Sequence, residues 1–234
     1  YCKFKFYMFK IYKILILLIF INLSSSAIAH VRHYEDLKSI KFDIYRNNKH
    51  IGKHIFSFKK SEDQLSVVSE INFEIKKLGV VLYKYHVKGV ELYKDGKLIK
   101  FNSNTEQNGK IKYVNLNLNN SEYFIDGSSY KGKAPTEYLL GTWWNHSIVK
   151  APAQISAVSG RIIKQKVTFL GKEKIKIGEK SYDALHFNFS SSDNKLKKNK
   201  KLNTDIWYDE KSLNWIKASF NKKGQWIYKL VSIE

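Results

Sequence analysis

The sequence predicts an all-β protein, an antiparallel meander forming a strongly curled sheet or open barrel, with one or two short helical turns near residues 135–150. Three observations carry this. Apolar and polar residues alternate with period two from Ser39 onward. Asn, Asp and Gly interrupt the alternation at short intervals, while Pro occurs only at Pro135 and Pro152. Aromatic residues make up 15% of the chain, with Tyr and Phe far ahead of Trp, and these suit a pleated, half-buried surface.

Taken in order, Ile40, Phe42 and Ile44 alternate with Lys41, Asp43 and Tyr45, which puts the first three on one face of a strand. Asn47 and Asn48 turn the chain into a second strand over 54–59. The stretch 65–76 repeats the pattern through Ile71, Phe73 and Ile75, and Gly79 separates it from a strand over 80–91. Asp95-Gly96, Asn108-Gly109 and Asp126-Gly127 predict three tight hairpins, with strands at 98–103, 111–118 and 122–125 between them. Regularity breaks from Ala134 to Ile155, which predicts a long connection. Strands resume at 160–170, 173–177 and 182–190, followed by a polar, lysine-dense loop over 191–201. The chain then runs through 204–208, 214–221 and 225–233, the last two joined at Lys222, Lys223 and Gly224. About a dozen strands without a βαβ rhythm must curl, close or be covered. The stretch 39–234 is expected to be a single β domain.

The N-terminus carries an export pattern. Met8 is the expected start, followed by Lys10 and Lys13, an apolar block over 14–21, and Ala27-Ile28-Ala29 as an A-x-A cleavage signal. Residues 1–29 are therefore expected to be a signal peptide and 30–38 a flexible lead-in. The apolar block falls well short of the roughly 20 residues a membrane-spanning helix needs. Cys2 precedes that block, so the expected product is periplasmic and not lipid-anchored. Beyond residue 29 there is no cysteine, which excludes disulfides, thiolate nucleophiles and cysteine-ligated metal.

The formal net charge is +20, or +16 once Lys3, Lys5, Lys10 and Lys13 are set aside. Of the 41 basic residues only Arg32, Arg46 and Arg161 are arginine. Specific phosphate readers favour the bidentate guanidinium, so nucleic acid is not an expected partner. A solvated lysine surface is the plain reading of this basic protein, and an anionic membrane surface is the partner it would otherwise suit.

Catalytic signatures are absent: there is no G-x-S-x-G and no phosphate-cradling glycine loop. Asp43, Glu70, Glu74 and Glu91 read as solvated residues on polar strand faces. His50 and His54 are not a helical ligand pair, and His86 and His186 are expected to face away from Tyr85 and Phe187. His30 and His33 would form a copper-binding terminus only if cleavage follows Ala29. No metal or cofactor is expected. The densest chemical signal is Tyr138, Trp143, Trp144, Asn145 and His146. Adjacent tryptophans on a loop can line an apolar or sugar-binding cleft with Asn145 and His146 as polar handles; alternatively one Trp plugs the barrel end and the other caps an edge.

The run Phe42 to Lys49, with Ile51, Gly52 and His54, resembles the opening hairpin of exported bacterial proteins of domain-of-unknown-function family 6134. Leu78, Gly79, Tyr83, Tyr85 and His86, then Asp95-Gly96, then Thr142-Trp143-Trp144-Asn145, then Asp205-Ile206-Trp207-Tyr208-Asp209 continue the likeness in order. Asn48 stands where a glycine is expected and Trp143 where a tyrosine is expected. The resemblance implies an exported single β domain without an assigned catalytic residue. The chain is also distantly similar to unknown-function family 3108, and in general shape to periplasmic lipoprotein carriers whose half-barrel sheet holds acyl chains.

The expected function is non-enzymatic binding of an apolar or lipid-like ligand, with Tyr85, Tyr138, Trp143, Trp144, Asn145 and His146 as ligand-binding residues and Phe73 and Leu116 lining the same interior. Two alternatives stand beside it. One is a structural or assembly partner of an envelope protein; the other is an enzyme acting on a cell-envelope polymer, with His146 and a carboxylate as acid and base.

Overall fold

A computed structural model of the chain describes Tyr34 and residues 36–234. The expected signal peptide and the His30/His33 pair lie outside these residues. Strands β1 (Ser39–Arg46), β2 (Lys49–Ser61), β3 (Gln64–Lys77), β4 (Val80–Lys94), β5 (Lys97–Gln107), β6 (Lys110–Asn119), β7 (Glu122–Gly127) and β8 (Lys131–Pro135) follow one another as hairpins. Next come β9 (Leu139–Leu140), a 3-10 turn (His146–Lys150) and β10 (Ala153–Ile155). The long strands β11 (Ile162–Ile177) and β12 (Lys180–Ser191), then β13 (Asn203–Asp209), β14 (Trp215–Asn221) and β15 (Gln225–Ile233), complete the chain. All fifteen form one sheet in the order β8-β7-β6-β5-β4-β3-β2-β1-β15-β14-β13-β12-β11-β10-β9, antiparallel except for β9 with β10.

That order shows how strongly the sheet curls. Laid flat, fifteen strands at about 4.8 Å spacing would separate the edge strands by roughly 67 Å. Yet β8 and β9, the two edges, are joined by only residues 136–138, a span of about 14 Å at most. The edges meet without pairing. The 156–161 loop between β10 and β11 folds against the concave face: Ser129 N donates to Ser159 O at 2.9 Å, Ser103 Oγ donates to Ala157 O, and Gly160 packs on Ile125.

Inward residues follow the alternation. Ile40, Phe42 and Ile44 are buried, as are Phe56, Val67, Phe101, Leu116, Phe189, Ile206 and Trp215. Asp95-Gly96 and Asn108-Gly109 turn with positive φ at both positions, as do Asn47-Asn48 and Leu78-Gly79, the backbone two-residue hairpins require. Asp126-Gly127 differs from expectation. Both residues belong to β7, and the turn falls at 128–130. A Cβ on Gly127 would stand 2.7 Å from Ser159 O, so this glycine serves a close backbone approach rather than a turn. The predicted break between 170 and 173 is a bulge at Gly171 inside one strand. The expected connection over 134–155 contains two short strands and one 3-10 turn, and a second such turn, Lys198–Lys200, lies in the lysine-dense loop. No helix among the described residues is long and apolar enough to cross a membrane.

Candidate functional site

The 138–146 segment enters the concave interior. Trp144 is wholly buried, edge-on to Tyr34, Phe58 and Tyr93 at 5.0, 5.4 and 5.6 Å. Asn145 caps the 3-10 turn by accepting from Ser147 N at 3.0 Å. His146 is buried edge-on to Tyr208 at 4.8 Å and beside Phe187 at 5.9 Å. Trp143, at φ 64, is half-buried, edge-on to Trp215 at 5.7 Å, and its carbonyl accepts from Tyr208 Oη at 2.9 Å. Tyr138 is half-buried against the core. The structure thus brings Trp143, Trp144, Asn145 and His146 together as an inserted plug, while Tyr85 belongs to another part of the interior.

The partner of the plug is Glu91, which sequence reading left on a wet face. It is fully buried. Trp144 Nε1 donates to Oε1 at 3.0 Å, Tyr93 Oη donates to Oε2 at 2.6 Å, and the Thr142 hydroxyl adds a third bond. Desolvation outweighs these donors and pushes the carboxyl up to about 7. His54 is the second buried titratable group. Its Nε2 pairs with Ser69 Oγ at 2.9 Å, Nδ1 has no partner, and Phe42, Phe56, Trp215 and Tyr228 surround the ring. Burial holds it neutral, down at about 3.

The concave face is graded. At the end bearing the β2–β3 and β4–β5 turns, Leu65, Tyr93, Leu98 and Tyr123 are buried. Towards the end bearing the β1–β2, β3–β4, β5–β6 and β14–β15 turns, Tyr83, Tyr85, Phe220 and Trp226 are only half-buried. Tyr85 stacks on Phe73 at 4.8 Å, and burial raises its phenol pKa. Phe73 on β3 and Trp226 on β15 meet at 5.2 Å although β1 and β2 lie between their strands. Rings three strands apart reach each other only across a concave surface. Gly52 lies beneath that contact: a Cβ there would fall 2.1 Å from Asn72 O and 2.5 Å from Phe73 Cβ.

Outside, His86 pairs with Glu70 at 3.2 Å and His50 with Asp43 at 3.1 Å, all exposed or partly so. His186 lies between Glu173 (3.1 Å from Nδ1) and Asp205 (3.5 Å from Nε2), stacked on Trp207 at 4.1 Å. Lys217 covers the same indole at 4.1 Å, and partial burial lowers its ammonium pKa. Both imidazole nitrogens of His186 lie near carboxylates, and the cluster covers the outer face of Trp207. An open polar groove of about 520 Å³ runs along Lys49, His50, Gly52, Asn72 and Glu74. Among the described residues no group of three or more His, Asp or Glu could hold a metal ion.

The family model for Domain of unknown function (DUF6134) matches residues 42–231. Among solved structures the chain is similar to a beta-barrel-like protein of domain of unknown function DUF1849 from Brucella abortus. The TM-score is 0.60 at 10% identity, over 85% of this chain and 97% of that one. It is also similar to a Bacteroides fragilis protein with a YmcC-like fold, with TM-score 0.36 at 9% identity, over 84% of this chain and 94% of that one. No curated protein matches the sequence. The Brucella likeness concerns the fold alone, a barrel-like sheet.

Proposed function

Because the chain belongs to the DUF6134 family, a domain family of unknown function, its role is read from its own geometry, and we propose that it is an exported periplasmic β domain that binds an apolar, lipid-like ligand without catalysis. The observation that carries this reading is the gradient of burial along the concave face. Aromatic side chains close one end, whereas Tyr83, Tyr85, Phe220 and Trp226 keep part of their surface open at the other. Aromatic and apolar linings with few polar groups suit acyl chains. Two buried polar atoms deeper in, Nε1 of Trp143 and Nδ1 of His54, have no protein partner; each is a group a polar ligand end or a water would satisfy. The ligand in this reading enters at the Phe73–Trp226 end and stops at Trp143. Trp144 stays outside the site because its surface is already taken by Glu91, Tyr34 and Tyr93. Export rests on the Met8–Ala29 pattern.

The test is titration with a fluorescent fatty acid, with tryptophan emission as donor. Saturable binding is expected, weakened at least tenfold by Tyr85→Asp and with reduced energy transfer in Trp226→Phe. An absence of saturable binding, or binding indifferent to Tyr85→Asp in a folded variant, discards the reading.

A further inference from the structure

We propose that the tip of the β3–β4 hairpin is a membrane-docking element that inserts into a bilayer surface rich in anionic lipid. The hairpin outruns β5 and parts from β2. Pairing of β3 with β2 ends at Phe73, and pairing of β4 with β5 begins at Tyr85, so residues 74–84 project as a two-stranded ribbon. On the β5 side the Asn108-Gly109 turn stands beside Lys84, so the ribbon runs four residues, about 13 Å, past that neighbour, while β2 continues alongside to Lys49 across an open groove.

The tip is apolar where the fold asks for polar residues. Leu78 is 95% exposed, Val80 62%, Val81 46% and Leu82 55%. Leu78 also holds φ 49, a left-handed backbone that disfavours a bulky side chain. The other two-residue turns of positive φ solve the same geometry with Asn47-Asn48, Asp95-Gly96 and Asn108-Gly109. Among the described residues no packing gain offsets either the strain or the exposure of Leu78.

Charge supplies the partner. Lys76, Lys77 and Lys84 ring the tip, and no acidic residue occurs from Lys76 to Val90. Glu74, at the base of the ribbon and across from Lys84, pairs with Lys76 at 2.9 Å. The β5–β6 hairpin, tied on by Asn108 N donating to Lys84 O at 2.8 Å, adds Lys110 and Ile111, the latter 65% exposed. An apolar point inside a lysine collar complements acyl chains beneath anionic headgroups. Tyr83 lies on the same ribbon and Tyr85 at its base, so docking would face the aromatic end of the interior towards the membrane. The proposal does not depend on ligand binding.

The experiment is co-sedimentation of the protein with vesicles of phosphatidylglycerol and phosphatidylethanolamine, against vesicles of phosphatidylcholine alone. At least tenfold preference for the anionic vesicles is expected, falling with salt. The triple variant L78N/V80T/L82T should lose at least tenfold in binding with an unchanged circular dichroism spectrum, and Lys77→Glu with Lys84→Glu should remove the salt dependence. Leu78→Trp should show blue-shifted emission quenched by brominated lipid. Absence of vesicle binding, or equal binding by wild type and triple variant, overturns the proposal. So does a wild-type dimer that the triple variant splits, since the tip would then be a contact between copies of the chain.

Discussion

Replacing Glu91 by Gln should change how stability depends on pH, in a way that also exposes His54. The Glu91 carboxyl rises from 4.5 in the unfolded chain to about 7 in the fold. A raised acid binds its proton more tightly when folded, so its stabilising contribution is complete below pH 4.5 and is lost as pH climbs to 7. That loss comes to about 3 kcal/mol, at roughly 1.4 kcal/mol for each pH unit. His54 acts in the opposite sense. Its imidazole falls from 6.5 to about 3, so its contribution is complete above pH 6.5 and is lost on acidification towards 3, about 5 kcal/mol in all. Between pH 4.5 and 6.5 the two slopes oppose each other at equal size. Wild-type stability should be nearly flat there.

Urea unfolding followed by tryptophan fluorescence at half-unit steps from pH 4 to 8 reads this directly. Glu91→Gln keeps the shape and can still accept from Trp144, but does not titrate. It should lose about 1.4 kcal/mol per pH unit on acidification below 6.5, because the His54 slope is uncovered. His54→Phe, an apolar ring in an apolar box, should show the mirror image and gain stability from pH 7 down to 4.5. Surface carboxylates and lysines contribute equally to all three proteins, so differences between profiles isolate the buried pair. Parallel profiles for wild type and Glu91→Gln would refute the buried, proton-holding carboxyl.

Three further outcomes follow from the packing. Gly52→Ala should cost about 1–3 kcal/mol by denaturant unfolding, since its Cβ would collide with the β3 backbone. Trp144→Ala should cost at least the roughly 3–5 kcal/mol typical of a deleted core aromatic; it also takes a donor from Glu91, so the cost should grow with pH. Leu78→Asn should leave the unfolding midpoint unchanged or slightly higher, within about 0.5 kcal/mol, because an exposed left-handed position suits Asn better than Leu; a clear loss would place the tip in a contact within the protein.

Much of the sheet was legible because its signal is local. Ile40, Phe42 and Ile44 alternate over six residues, and their burial needs no distant information. The same holds for Asp205 to Asp209. Ile206 and Tyr208 point inward, Trp207 outward under His186 and Lys217, and Asp209 accepts from Ser212 N at 2.8 Å to close the following turn. His86 and His186 faced outward for the same reason. Glu91 was not legible. Alternation places it on one face with Val87 and Tyr93, but a carboxylate reads as a wet residue unless its donors are known. Tyr93 is two residues away, but two of those donors, Trp144 and Thr142, lie about fifty residues further along and arrive only when the plug folds in. Asp126-Gly127 misled for a related reason. A glycine required by a neighbouring backbone and one required by a turn look identical in sequence, and Ser159 is thirty-two residues away from Gly127.

The plug also explains why the sheet can stop short of closing. A curled sheet with two free edges would normally expose both ladders to other chains. Here the chain leaves β8 at one edge and returns within four residues as β9 at the other, so covalent continuity holds the edges together without β8–β9 pairing. The residues between β9 and β11 then fold inward, with Ser129 and Ser103 donating to the 156–161 loop. Closure by an inserted segment differs from closure by pairing in one respect that bears on function. Paired strands fix the circumference through their register, whereas here it is fixed by Trp144, Glu91 and the Tyr34–Phe58 contacts and again by the 156–161 loop at Ser103, Gly127 and Ser129. The end where Phe73 and Trp226 meet over Gly52 carries both the half-buried aromatics and the apolar β3–β4 tip. In a sheet whose edges meet without pairing, that is the end where ligand entry and membrane contact are proposed.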